Sequence, residues 1–154
     1  MPQPEHVDPS AYTADGGPVG VLLIHGLGGS AAETRPWGEY LAAKGWSIRC
    51  PLLSGHGTTP DDLIGLSWQV WASEVTAALE DLQRYCEAVF VGGLSMGALL
   101  ALWLGVDHPD IAGLVLPSPM FKLENRLLWL TPALRYVLRY PPPGMVEEEV
   151  LGDP

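Results

Sequence analysis

The stretch Ala88-Val89-Phe90-Val91-Gly92-Gly93-Leu94-Ser95-Met96-Gly97-Ala98-Leu99-Leu100 decides the fold. Its apolar start predicts a strand over 88–92, and the apolar run after Met96 predicts a helix over 96–106. Between them lies a Gly-x-Ser-x-Gly pentapeptide, Gly93 to Gly97, in the strand-turn-helix context of a nucleophile elbow. A serine at the tip of so sharp a turn is held in strained backbone, and Gly93 and Gly97 let strand and helix approach without Cβ clashes. The hydroxyl then projects above the sheet, and the new helix aims its N-terminal amides at the reacting centre. The chemistry this points to is acyl transfer with Ser95 as nucleophile. The plainer reading is a glycine-rich turn carrying an ordinary serine.

A second stretch supports the first. Val19 to Ile24 is an apolar strand that runs into His25-Gly26-Leu27-Gly28-Gly29. Acyl transfer needs two backbone donors aimed at the developing oxyanion. One is the amide after the nucleophile, here Met96, and the other comes from the loop after an earlier strand, here Leu27. Gly26-x-Gly28 also resembles half of a dinucleotide loop, but the third glycine and the downstream ribose acid are not placed as that fingerprint requires. His25 reads as a support that orients the loop by a hydrogen bond, with a catalytic role as the alternative.

The chain resembles an α/β-hydrolase of the bacterial carboxylesterase and monoacylglycerol-lipase group. The resemblance runs through Val21 to Gly29, then Pro51-Leu52-Leu53-Ser54-Gly55-His56-Gly57, then Gly92 to Gly97, with Ser118-Pro119-Met120 after the next strand. It covers about residues 17–121 in order and spacing. It implies an α/β-hydrolase fold, a mostly parallel sheet with helices on both faces, and catalysis by Ser95 with the Leu27 and Met96 amides as oxyanion hole. It places Met120 at the substrate and implies a triad aspartate and histidine after two further strands. The sequence shows no such segment, so the expected domain is an incomplete one, on the order of two-thirds of the whole, with its C-terminal strands missing.

Composition agrees. The chain has 154 residues, enough for one domain with a core, and its 47% apolar and 17% charged content suits a sheet covered on both faces. A net charge of −10 argues against nucleic acid and anionic membrane surfaces as partners. Cys50 and Cys86 read as free thiols. Met1 to Asp15 is polar and proline-rich, unlike a signal peptide, and no apolar run is long enough for stable membrane insertion, so a cytoplasmic protein is expected. No motif calls for a cofactor or a metal.

Further elements are predicted as a helix at 35–44, a strand at 46–50, a helix at 68–84 capped by Ser67, and a strand at 111–116. On the second helix Trp71, Val75, Ala78, Leu79 and Leu82 share a face, while Glu74 and Asp81 are expected to point outward. This alternation implies parallel pairing. His56, between glycines, reads as a substrate contact or as a turn histidine fixed to backbone, and Asp61 and Asp62 as the start of a turn or helix. Residues 119–145 are apolar and proline-punctuated and are expected to be either a cap over the acyl site or a helix packed on the core.

Two functions remain open. One is a serine-dependent carboxylic-ester hydrolase acting on a small-molecule ester with an acyl chain, with an amidase or peptidase using the same machinery as a variant. The other is a noncatalytic acyl-binding or interaction module. A chain ending after strand 111–116 is also expected to self-associate through that exposed sheet edge.

Overall fold

The computed structural model describes residues 8–119. Elements alternate along the chain: β1 (Tyr12–Ala14), β2 (Val19–Ile24), α1 (Arg35–Ala42), β3 (Ser47–Cys50), α2 (Trp68–Gln83), β4 (Ala88–Gly93), α3 (Met96–Asp107) and β5 (Gly113–Val115). Short 3₁₀ turns at Ala31–Glu33 and Pro60–Leu63 interrupt the loops after β2 and β3. The sheet order is β1-β3-β2-β4-β5. All pairs are parallel except β1 with β3.

The central strands are apolar on both faces, as parallel strands between helical layers must be. In β2, Leu22 and Ile24 join Val89 and Val91 of β4 in a core closed by α2 and α3. Val21 and Leu23 point the other way, into a smaller core with Ile48 and Cys50 beside α1. The helical face predicted for α2 is the one that packs: Val75, Leu79 and Leu82 are buried, with Trp71 and Ala78 at their margin. Full burial of each of these aliphatic side chains contributes about 1.5–3 kcal/mol. Cys50 and Cys86 are free thiols, and burial pushes the Cys50 thiol up to about 11.

Several sequence expectations need correction. Tyr12–Ala14 lies in the segment read as a polar N-terminus, yet it forms an antiparallel edge strand, with Thr13 opposite Arg49. The strand expected over 111–116 is ordered as strand only at Gly113–Val115. Helix α1 stops at Ala42, because Lys44 and Gly45 donate to Leu41 and Ala42 in a tightening turn. Ser67 occupies the N-cap position of α2, but its side chain makes no capping bond. Glu74 and Asp81 do not simply face solvent. The Glu74 carboxylate accepts from the Ser54 amide at 3.0 Å and from its hydroxyl, and Asp81 pairs with Arg49 at 2.7 Å. Helical periodicity places both acids off the apolar face and says nothing of partners on other elements. The expected cap segment from residue 120 onward lies outside the described residues.

Candidate active site

β4 ends at Gly93 and α3 starts at Met96, so the chain reverses within two residues. Ser95 takes up the turn at φ 49° and ψ −109°. A non-glycine residue there costs about 1–3 kcal/mol, a cost that surrounding structure must offset. The surroundings do so: Leu94 N–H donates to Ile24 O at 2.9 Å, and Ser95 O accepts from Ala98 N–H at 3.1 Å. Close packing explains both glycines. A Cβ on Gly93 would collide with the Gly97 backbone, and a Cβ on Gly97 would collide with the Ile24 carbonyl. The Ser95 hydroxyl makes no cap bond and has no hydrogen-bond partner among the described residues.

The loop after β2 lies against this turn. A Cβ placed on Gly26 would sit 3.7 Å from Ser95 Cβ and 3.6 Å from Leu94 O. His25, fully buried, holds the loop. Its Nδ1–H donates to Gly26 O at 2.9 Å, and its Nε2 accepts from Leu53 N–H at 3.1 Å. Burial pushes its pKa below the ordinary 6.5, which suits a neutral ring with one donor and one acceptor nitrogen. Gly26 O also accepts from Gly29 N–H at 3.2 Å. In a trans peptide, Gly26 O and Leu27 N–H point in opposite directions. Anchoring that oxygen therefore restrains where the Leu27 amide aims. Among the described residues neither Leu27 N–H nor Met96 N–H is used in a hydrogen bond.

His56 is turned inward and 4% exposed. Its Nδ1–H donates to Ser54 O at 3.1 Å, while Nε2 is buried without a partner among the described residues. The ring stands edge-on to His25 at 4.8 Å and to Trp71 at 5.3 Å. It also lines a recess of about 110 Å³ with Gly28, Gly57 and Thr58. The structure thus brings Ser95, Gly26, Leu27 and His25 to one end of the sheet, with His56 behind His25. Asp62 forms a capping box with Thr59, and Met120 lies outside the described residues. Beside Met96 an apolar cavity of about 290 Å³ runs between α2 and α3, lined by Trp68, Trp71, Leu99, Leu100 and Trp103.

Two carboxylates that the sequence did not single out as site residues shape this region. Glu33 accepts from Gly26 N–H at 2.9 Å, and Glu74 ties the 51–57 loop to α2 through Ser54. Neither carries a sequence signal, since each acts through a loop fold that spacing does not encode.

Residues 19–149 match the family described as "Serine aminopeptidase, S33", an α/β-hydrolase family. The chain belongs to that family. Within this S33 family setting it is 41% identical over 104 residues to a thermostable monoacylglycerol lipase of Bacillus sp. (strain H-257), covering 68% of this chain and 42% of that protein. It is 31% identical over 150 residues to a carboxylesterase of Bacillus subtilis (strain 168), covering 94% of this chain and 61% of that protein. A solved structure from work on LipS and LipT, two metagenome-derived lipolytic enzymes, superposes with a TM-score of 0.75 at 31% identity, over 79% of this chain and 50% of that one. The Paleococcus ferrophilus monoacylglycerol lipase superposes at 0.62 with 25% identity, over 86% of this chain and 53% of that one. The chain thus spans about half the length of such relatives. No helix among the described residues is long and apolar enough to cross a membrane, and no cluster among them is suited to a metal.

Proposed function

We propose that this chain carries the nucleophile and oxyanion-binding half of a cytoplasmic serine-dependent carboxylic-ester hydrolase of carboxylesterase or monoacylglycerol-lipase type. The observation that carries the reading is the strained Ser95 turn with the Gly26–Leu27 loop packed against it. In this reading Ser95 Oγ attacks the ester carbonyl and the alcohol leaves. The acyl-enzyme then reacts with water to release the acid and restore the hydroxyl. The amides of Leu27 and Met96 hold the oxyanion, the latter helped by the N-terminus of α3. His25 supports that site through Gly26 and is no base, since Gly26 and Leu53 occupy both of its nitrogens. His56 supports the 51–57 loop by its bond to Ser54. A triad acid and histidine come from outside the described residues, as does Met120 with its expected place at the substrate. The apolar cavity beside Met96 suits an acyl chain, each buried methylene contributing about 0.8 kcal/mol.

The test is hydrolysis of short acyl esters by the parent protein and by Ser95→Ala. The variant is expected to keep its fold and lose turnover by a factor of at least about 10³. Undiminished hydrolysis in Ser95→Ala would remove Ser95 from the nucleophile role. Two observations favour a second reading, an amidase or peptidase with the same machinery. The family carries an aminopeptidase description, and a relative 33% identical over 103 residues is a pyrrolizixenacetamide deacetylase of Xenorhabdus hominickii. Matched ester and amide substrates separate the two. A third reading, a noncatalytic acyl-binding module, is favoured by the lack of a partner for Ser95 Oγ among the described residues. It predicts acyl binding without turnover.

A further inference from the structure

We propose that Glu33 is a positioning residue that sets the direction of the Leu27 amide toward the oxyanion, an inference that rests on the esterase reading above. Two peptide planes meet at Gly26. The plane after it contains Gly26 O and Leu27 N–H, and His25 Nδ1–H and Gly29 N–H anchor that oxygen at 2.9 and 3.2 Å. The plane before it contains Gly26 N–H, which donates to Glu33 Oε2 at 2.9 Å. With only the plane after it anchored, Gly26 can still pivot, because glycine has no side chain to limit it. With both anchored, the loop has one arrangement.

The chain brings Glu33 to this place through the 3₁₀ turn at Ala31–Glu33, where Glu33 N–H donates to Ser30 O at 3.1 Å and Thr34 N–H to Ala31 O at 3.1 Å. That turn folds the chain back, so a residue seven positions on reaches Gly26. Gly29 supplies the independent sign that the carboxylate belongs there. A Cβ on Gly29 would collide with the Glu33 carboxylate, whose Oε1, Cδ and Oε2 are its three nearest atoms. The φ of Gly29 is not in the left-handed region, so its backbone tolerates a side chain, and it is the Glu33 carboxylate that a side chain there would meet first. The role of Glu33 is geometric. An anion near a developing oxyanion gives no electrostatic help, so its value lies in holding the Gly26 amide.

The experiment is ¹⁵N NMR with amide exchange on the parent chain, Glu33→Ala, Glu33→Gln, Gly29→Ala and Gly29→Ala/Glu33→Ala, with the Val89 and Val91 amides reporting the integrity of the core. In Glu33→Ala the Gly26 amide is expected to exchange about tenfold faster and the Leu27 resonance to move, while Val89 and Val91 stay in place. Glu33→Gln keeps an acceptor oxygen and restores most of the parent signature. Gly29→Ala displaces the carboxylate and reproduces Glu33→Ala, and the double variant is no worse than either single one. In parallel, Glu33→Ala lowers kcat for ester hydrolysis by about tenfold with KM unchanged, and Glu33→Gln recovers it. Unchanged Gly26 exchange and Leu27 resonance in Glu33→Ala would overturn the proposal. So would additive effects of the two single variants, or a native kcat alongside a lost Gly26 bond. The NMR comparison does not depend on turnover, so a parent protein without esterase activity would overturn the esterase reading separately.

Discussion

His25 shows how one residue links the loop geometry to pH. Burial lowers its pKa, so the folded chain takes up this proton at lower pH than the unfolded chain, whose histidines titrate at about 6.5. Between those two values the unfolded state binds more protons. The stability contributed by His25 is therefore complete above about pH 6.5 and is lost as pH falls through the folded value. Protonation also removes the acceptor of Leu53 N–H and so loosens the tie between the two loops. His25→Gln is expected to cost about 1–3 kcal/mol at neutral pH and to flatten the acid side of the stability profile by up to about one proton. Urea unfolding across pH 5–7.5 measures both, and an unchanged acid slope would show that His25 is not the titrating group. The presence of His25 beside a glycine loop was legible in the sequence, because its place after an apolar strand suggested a hydrogen bond to that loop. Its second bond to Leu53, twenty-eight positions on, was not legible, since it depends on how the loops after β2 and β3 meet. Glu33 and Glu74 were hidden for the same reason.

At the level of elements, the turn between β4 and α3 is fixed by what its glycines exclude. Gly97 lies against the Ile24 carbonyl, so adding one methyl forces α3 away from β2. Gly97→Ala is expected to destabilise the fold by about 1–3 kcal/mol and to disturb Ser95 with it. Chemical unfolding measures the first effect, and parental stability would mean that the helix can shift without cost. The central strands and α3 were easy to read because burial on both faces writes a continuous apolar run, as in Val19–Ile24 and Ala88–Val91. β1 was not, because Tyr12-Thr13-Ala14 is short and half exposed, and only its pairing with β3 makes it a strand. Arg49 adds to that pairing through Asp15 at 2.9 Å, a contact no local pattern encodes. The ends of β5 and α1 moved because the first is fixed by its register against β4 and the second by a closing turn.

At the scale of the whole sheet, its two faces are unequally covered among the described residues. α2 and α3 close one face, whereas on the other an apolar groove of about 440 Å³ lies among Val21, Leu23, Trp37, Tyr40, Phe90 and Val115. Among the described residues β5 pairs only with β4, and Val115 is 58% exposed at that edge. An unpaired apolar edge templates association, and a charge on it opposes that. The chain is expected to self-associate, and Val115→Lys to reduce the association with little change in stability, as sedimentation velocity would show. A monodisperse parent chain would contradict this. The central claim, however, concerns Ser95. It is tested most directly by trapping the acyl-enzyme: the protein as its host makes it is mixed with a short acyl ester, quenched in acid and mapped by peptide mass spectrometry. The account predicts one acyl group, on the peptide containing Ser95 and on that hydroxyl. Ester turnover with the acyl group on another residue, or with Ser95 unmodified throughout, would contradict it.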